Sequence, residues 1–227
     1  MRIARLTAFL SFLIMSQYAN AASNSIYVDQ IGSGSTITLT QTGTGNAIGS
    51  TTKAATINGD NNTITIEQIG NTNTMSLDVG GTGATVTTTI TGNSNVVDVA
   101  CGAGSGTCST STITNTITGD SNTLTQSSTN LIDSTVTIDS NNNTVSVTNT
   151  STAVLGAKTV IDISGGDSNN VGVTQAGVAS TNGHDVGLTI VGATNVVDIK
   201  QGGTVDSKVV SNITGSGNTL TIKSNHP

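Results

Sequence analysis

The sequence predicts an all-β protein, a flat two-sheet β-solenoid with cross-β stacking and about nine strand-turn-strand layers. Three observations lead to this prediction. Aliphatic side chains recur at every second position, a phrase that begins with Asn returns along the chain, and aromatic residues make up only 2% of the sequence. A chain with so few aromatic side chains lacks the material for an ordinary globular core, whereas a thin repetitive structure does not need them.

The segment from Asn62 to Val79 shows the alternation most clearly. Asn62, Ile64, Ile66 and Gln68 are spaced by two, so an extended chain places these side chains on one face. After a link that contains Gly70, the phrase returns as Asn73, Met75, Leu77 and Val79. The positions in between are polar. The segment therefore predicts a strand, a glycine turn and a second strand, with one dry face and one wet face.

The same phrase returns along the rest of the chain. It starts at Asn95, Asn122, Asn143, Asn169, Asn195 and Asn218, and at Ser35 with Ser in place of Asn. A partner strand ends in Ile five residues before most of these starts, at Ile57, Ile90, Ile117, Ile138, Ile190 and Ile213. Two residues after each Ile comes Gly or Ser, and Gly allows the positive φ of a tight turn. The unit of strand, turn and strand therefore repeats every roughly 21 to 27 residues.

A single unit is not expected to fold alone, because its few inward aliphatic side chains cannot offset the conformational entropy of ordering its backbone. Stacked units can fold, since each layer hydrogen-bonds to the next at about 4.8 Å and identical inward side chains form ladders. We predict an asparagine ladder of Asn62, Asn73, Asn95, Asn122, Asn143, Asn169, Asn195 and Asn218. We predict a glutamine ladder of Gln41, Gln68, Gln126, Gln175 and Gln201.

Residues 1–21 are predicted to be a secretory signal peptide, and residues 22–227 the repeat domain. Arg2 and Arg5 precede an apolar run, and Ala19 and Ala21 fit the small-residue cleavage pattern. A membrane anchor is the alternative, but it needs about twenty apolar residues and this run has about ten. The formal charge is −6, and removal of both Arg residues makes it −8. An acidic chain without basic patches argues against nucleic acid and anionic membranes as partners, and no later segment is apolar enough for membrane insertion.

The two cysteines, Cys101 and Cys108, enclose a short loop of small residues. Behind a signal peptide, such a pair is expected to form a disulfide in an oxidising compartment. A metal site is the alternative, although no Cys-x-x-Cys pair or cluster of His accompanies the two cysteines.

The sequence predicts neither an enzyme nor a cofactor or metal. His184 and His226 are the only histidines, and His184 is most simply the start of a strand. Glu67 is the only Glu and alternates outward, so paired-carboxylate hydrolysis lacks support. A calcium-binding β-roll is a further alternative, but its doubled glycines are missing. The turns that suggest it begin at Gly59, Gly119 and Gly166.

Gln, Gly and Asn recur at fixed relative positions near the N-terminus, at Gln30, Gly32 and Ser35, at Gln41, Gly43, Gly45 and Asn46, and at Gln68, Gly70 and Asn73. These residues resemble the curlin repeat. The resemblance covers the chain behind the signal peptide and is strongest over Asn24 to Val79; beyond it, the first strand usually ends in Ile where curlin has Gln.

The resemblance implies a subunit of curli, the functional amyloid fibres that Gram-negative bacteria export to their surface in biofilms. The protein would then pass through the periplasm and be secreted into extracellular fibres at the bacterial cell surface. A nucleator subunit and outer-membrane secretion machinery would be its partners besides further copies of itself.

The extent of the repeat predicts self-assembly. Repeat-like sequence runs from Asn24 to Ser224, and no capping element is predicted. An open strand edge is a template for another chain, and identical faces that add head to tail produce a fibre. We therefore expect a structural subunit that self-assembles head-to-tail into curli-like amyloid fibres for adhesion and biofilm matrix.

The alternative function is a monomeric ice-binding or surface-recognition (adhesin) β-solenoid. Outward threonine pairs recur at Thr36 and Thr38, Thr63 and Thr65, Thr123 and Thr125, and Thr219 and Thr221. A flat ice-binding face needs an unbroken array, whereas other layers have Val96 and Asp98, Asn170 and Gly172, and Val196 and Asp198 in these slots. Thermal hysteresis by a persistent monomer would favour ice binding, and a trimer would favour an adhesin or phage-fibre segment.

Overall fold

The structure is a computed structural model that describes residues 23–32, 35–53, 55–59, 61–81, 84–100, 102, 111–128, 132–150, 157–177 and 183–225. Within these ranges the structure contains β-strands and no helix. The predicted signal peptide, the cysteines Cys101 and Cys108, and His226 lie outside the described residues.

The described residues form 22 strands, numbered in chain order. The first eleven are β1 (Ser25–Ile26), β2 (Val28–Ile31), β3 (Leu39–Thr42), β4 (Ala47–Ile48), β5 (Ala55–Asn58), β6 (Thr63–Ile64), β7 (Ile66–Ile69), β8 (Thr74–Ser76), β9 (Thr85–Thr87), β10 (Thr89–Thr91) and β11 (Val96–Val99). The others are β12 (Thr112–Thr114), β13 (Ile117–Thr118), β14 (Thr123–Ser128), β15 (Ile132–Asp139), β16 (Thr144–Asn149), β17 (Ala157–Ser164), β18 (Asn170–Gln175), β19 (His184–Val191), β20 (Val196–Gly202), β21 (Ser207–Thr214) and β22 (Thr219–Asn225).

Two large parallel sheets enclose the core. We call the nine-stranded one, β1-β4-β8-β11-β14-β16-β18-β20-β22, the asparagine sheet. The eleven-stranded one follows the path β3-β7-β10-β13-β15-β17-β19-β21, with β6, β9 and β12 beside that path, and we call it the isoleucine sheet. The chain passes from one sheet to the other and back, so each turn adds a layer to both. This arrangement is a two-sheet-like β-solenoid, which confirms the predicted fold class.

The solenoid has about seven turns, fewer than the predicted nine layers, although the asparagine sheet itself contains nine strands. The path of the isoleucine sheet contains eight strands, so the chain makes seven steps from one layer of this sheet to the next. The stretch from Gly43 to Lys53, which contributed to the higher count, adds only the short strand β4.

The isoleucine sheet owes its name to one column of inward side chains in register. The column contains Gln41, Gln68, Ile90, Ile117, Ile138, Ile163, Ile190 and Ile213. All six Ile side chains are buried, with Ile213 in the last layer at 8% exposure and the others at 0%. The Ile that ends the first strand of most units thus forms a continuous apolar spine along the stack.

Alternate positions of every long strand face the core. In β19, buried and half-buried residues alternate from His184 to Ile190, as the period of two in the sequence requires. The buried aliphatic side chains of both sheets form one continuous cluster between them. This burial between facing sheets stabilises layers that would be too thin to fold alone.

A small third sheet lies at the N-terminal end, where β2 pairs with β5. Ile57 belongs to β5, so it ends a strand before Asn62 as predicted but lies outside the column of Ile side chains on the isoleucine sheet. The pairing continues into the next layer only as a bridge between Thr56 and Asp78. The early layers therefore have three strand segments per turn, whereas later ones have two.

Candidate functional site: the amide ladders and the open ends of the stack

One column of asparagine side chains, which we call the inner ladder, connects the layers of the asparagine sheet. It runs through Asn46, Asn73, Asn95, Asn122, Asn143, Asn169, Asn195 and Asn218. From Asn73 onward, the backbone N–H and the Nδ2 amide of each residue donate to the Oδ1 atom of the preceding Asn, over 2.9–3.1 Å. Members from Asn46 to Asn195 are at most 1% exposed, so these bonds form in a dry interior.

The second Nδ2 proton of these Asn side chains also forms a hydrogen bond. Asn73 donates to the carbonyl oxygen of Gly92 at 2.8 Å, and Asn95 donates to that of Gly119 at 2.7 Å. Both carbonyls lie in the turn of the following layer. Each of these side chains therefore connects three consecutive layers. Both N–H donors of its amide are used.

The turn before each Asn explains why its side chain points inward. The preceding residue adopts a left-handed conformation, with φ of 56° at Ser94, 58° at Ser121 and 58° at Thr194. Two residues before that, Gly92 and Gly119 also have positive φ values. The sequence Gly-x-x-Asn thus encodes a sharp corner that turns the chain from one sheet to the other.

A second ladder runs along the outside of this corner, which we call the turn ladder. It consists of Asn71, Asn93, Asp120, Asn141 and Asp167. Each backbone N–H donates to the Oδ1 atom of the next layer over 2.6–3.0 Å, opposite in direction to the inner ladder. Sequence reasoning missed this ladder, although the recurring Asn or Asp after the turn Gly is a signal for it.

The turn ladder accounts for two of the three acidic turns that suggest calcium-binding loops, whereas Asp60 of the turn that begins at Gly59 lies outside the described residues. The carboxylates of Asp120 and Asp167 accept backbone N–H groups of neighbouring layers. Within the described ranges, no group of three or more His, Cys, Asp or Glu side chains is placed to hold a metal ion.

Asn62 does not belong to the predicted asparagine ladder. It precedes β6 on the isoleucine sheet, half a turn away from Asn73, and donates from Nδ2 to the carbonyl oxygen of Gly59 at 2.8 Å. Its buried Oδ1 atom has no hydrogen-bond partner. The prediction is wrong because strands of both sheets begin with the same Asn phrase, so the phrase alone does not show to which sheet a strand belongs.

The single glutamine ladder is also wrong. Gln41 and Gln68 pair on the isoleucine sheet at 2.8 Å, whereas Gln175 and Gln201 pair on the asparagine sheet at 3.1 Å. Gln126 lies in register with Val147, two positions before the column that contains Gln175. It instead accepts a hydrogen bond from Asn115 of the opposite sheet at 3.2 Å. Five glutamines that looked equivalent therefore occupy three different environments.

His184 is a fully buried part of the core. Its Nδ1 atom lies 2.8 Å from Oγ of Ser207, and its Nε2 atom lies 3.0 Å from the carbonyl oxygen of Ala176. Both ring nitrogens are thus engaged within the protein. This arrangement agrees with a structural residue at the start of β19.

The outermost layers bury their aliphatic side chains incompletely. Ile37 and Leu39 at one end, and Leu220 and Ile222 at the other, are only partly buried against the core. Their neighbours one layer further in, Ile64, Ile66, Val197 and Ile199, are at most 2% exposed. The ends of the stack therefore present apolar surface that interior layers cover.

The column of asparagine side chains is also incomplete at the C-terminal end of the stack. Asn218 is exposed, and its Oδ1 atom accepts no hydrogen bond from any described residue, whereas Asn195 one layer below is fully buried. β22 is the last strand of its sheet, so within the described ranges half of its backbone groups face an empty edge. The β22 end of the stack therefore presents Asn218 Oδ1 as an acceptor free of any described donor, in the position where each interior Asn accepts hydrogen bonds from the next layer.

No protein-family model matches the chain, and no curated protein or solved structure matches it. The resemblance to the curlin repeat therefore rests on the positions of Gln, Gly and Asn alone. None of the described residues forms a helix long and apolar enough to cross a membrane.

Proposed function

We propose that the protein is a secreted structural subunit that self-assembles end to end into curli-like amyloid fibres. The observation that carries the proposal is the incomplete burial of Ile37, Leu39, Leu220 and Ile222 in the outermost layers. A second copy stacked on either end would cover these side chains in the way that each interior layer covers its neighbour.

Hydrogen bonding favours the same contact. The inner ladder has a fixed polarity, with donors in the later layer and an Oδ1 acceptor in the earlier one. Asn218 offers this acceptor at one end, and the first layer of another copy would supply backbone N–H donors. The open backbone edge of β22 would pair at the same time. Such a contact joins two different surfaces, so it does not close and extends into a fibre.

Adhesion and a role in biofilm matrix follow from the curlin resemblance over Asn24 to Val79, together with the signal-peptide pattern of residues 1–21. A nucleator subunit and outer-membrane secretion machinery are the further partners that this resemblance suggests. Export to the bacterial cell surface would place the assembled fibre outside the cell.

Elongation kinetics with a matched pair of variants test the proposal. Ile222→Lys places a charge on the inward face of β22, whereas Thr221→Lys places the same charge on the outward face of the same strand. We expect seeded elongation, followed by an amyloid dye and electron microscopy, to stop with Ile222→Lys because its charge would be buried at the junction. Thr221→Lys should still elongate. A wild-type protein that stays monomeric with seeds, or equal elongation by both variants, would refute the proposal.

A further inference from the structure

The outward face of the isoleucine sheet carries a two-dimensional array of threonines, which we call the threonine lattice. It spans the first four layers of this sheet and part of the fifth. Its members are Thr36, Thr38, Thr40, Thr42, Thr63, Thr65, Thr85, Thr87, Thr89, Thr91, Thr112, Thr114, Thr116, Thr118, Thr135 and Thr137.

The lattice is in register along the stack. Thr36 pairs with Thr63, Thr63 with Thr85, and Thr85 with Thr112. The next column contains Thr87, Thr114 and Thr135 in successive layers. Parallel strands therefore repeat the side chain about every 4.8 Å along the stack and about every 6.6 Å along each strand.

The hydroxyl groups of the lattice are available to a ligand. Within the described ranges, none of them has a hydrogen-bond partner in the protein. The backbone beneath is held by the ladders, and the branched Cβ of Thr restricts χ1, so hydroxyl and methyl groups are ordered before a ligand arrives. Such an array can match a target that is itself periodic in two dimensions.

The interruptions that counted against ice binding lie on the other face of the molecule. Val96 and Asp98 belong to β11, and Asn170 and Gly172 to β18, both in the asparagine sheet; Val196 and Asp198 of β20 are in that sheet as well. On the lattice face, the first four layers have only Glu67 and Ile69 as exceptions. The lattice ends where Asp133, Lys158 and Asp185 occupy successive layers.

From this geometry we propose that the threonine lattice binds the surface of ice. Each Thr offers one hydroxyl donor and two acceptor lone pairs beside a methyl group, and ice presents hydrogen-bonding oxygens that repeat on a similar scale. A polysaccharide surface is a poorer match, because sugar rings stack on aromatic side chains. Tyr27, the only aromatic residue after residue 21, lies between β1 and β2, outside the isoleucine sheet. The proposal does not rest on self-assembly.

Ice affinity of the monomer, isolated by size exclusion and labelled with a fluorophore, tests the proposal. Thr87→Tyr disrupts the centre of the lattice, and Thr114→Tyr disrupts the adjacent layer. Thr144→Tyr on β16 is the matched control, since Thr144 is also exposed but lies on the asparagine sheet. Circular dichroism and melting temperature establish that each variant folds.

We expect the wild-type monomer to enter a growing ice crystal and to inhibit recrystallisation. Thr87→Tyr and Thr114→Tyr should each lower the retained protein about tenfold or more, whereas Thr144→Tyr should match the wild type. Exclusion of the wild type from ice would overturn the proposal, as would equal retention of all folded variants. Binding to crystalline cellulose in place of ice would also overturn it.

Discussion

Replacement of Gly92 by Ala tests whether the layers are as closely stacked at the corners as the structure indicates. A Cβ atom at Gly92 would lie 2.6 Å from the carbonyl carbon of Gly119 in the next layer, and still closer to its oxygen. Real Cβ atoms do not approach a backbone so closely, so the two layers would have to separate at this corner. The positive φ of 131° adds conformational strain for any residue other than Gly.

Separation would break the hydrogen bonds that cross this corner. They are Asn95 Nδ2 to the Gly119 carbonyl at 2.7 Å, Gly119 N–H to the Thr91 carbonyl at 2.9 Å, and Asn93 N–H to Asp120 Oδ1 at 2.6 Å. With about 1 kcal/mol for each of the three bonds and about 1–2 kcal/mol for the backbone strain, we expect Gly92→Ala to destabilise the monomer by about 4–5 kcal/mol.

Gly215→Ala is the matched control, because Gly215 occupies the same column in the last layer. Its φ is 110°, but the nearest atom to an added Cβ is Asn218 Nδ2 at 3.6 Å. Only the strain should remain, about 1–2 kcal/mol. Urea unfolding of the monomers should thus give a midpoint for Gly92→Ala about 1 M below that of Gly215→Ala. Coincident midpoints would refute the close stacking of the corners.

Four further substitutions probe single contacts by thermal or urea unfolding. Asn122→Leu should lower the free energy of unfolding by about 3–5 kcal/mol, because it leaves several buried ladder partners unpaired. Asn62→Leu should lower it by about 1 kcal/mol or less, since the Oδ1 atom of Asn62 already has no partner. Equal losses would contradict the reassignment of Asn62. His184→Phe should cost about 2–4 kcal/mol through the unpaired Ala176 carbonyl and Ser207 hydroxyl, and an unchanged midpoint would exclude those bonds. Thr194→Asn should stabilise by about 0.5–1 kcal/mol, since Asn tolerates the φ of 58° better than a β-branched residue; a lower melting temperature would contradict this.

The fold could be predicted from the sequence because two signals repeat in every layer. Alternation with a period of two fixed which side chains face the core, and the Gly-x-x-Asn corner fixed where the chain turns. Seven of the eight predicted members of the asparagine ladder, Asn73 to Asn218, lie in one column for this reason. Neither signal required a long-range contact to be guessed.

Assignment to a particular sheet could not be predicted, because both sheets use the same phrase. Asn62 and Asn73 start similar strands only half a turn apart, and the alternation does not say which strands stack on each other. Gln126 shows the related problem of register, since a shift of two positions along a strand keeps the side chain inward but moves it to another column.

The extent of the candidate surfaces could be predicted only in part, for the same reason. The sequence does not distinguish the outward threonines of the two sheets, so the gaps at Val96 and Val196 on the asparagine sheet hide the continuous lattice on the isoleucine sheet. Leu220 is only partly buried because it lies in the outermost layer. The sequence predicted an end without a cap, but not which side chains this end leaves partly exposed.

The mass per unit length of the assembled fibre, measured by scanning transmission electron microscopy, tests the central claim most directly. If each copy contributes its whole stack of layers end to end, a single protofilament should contain one chain per roughly 40 Å, from nine strands of the asparagine sheet at about 4.8 Å each. One chain per about 4.8 Å, as when every copy adds a single layer, would contradict the account, and so would the absence of fibres.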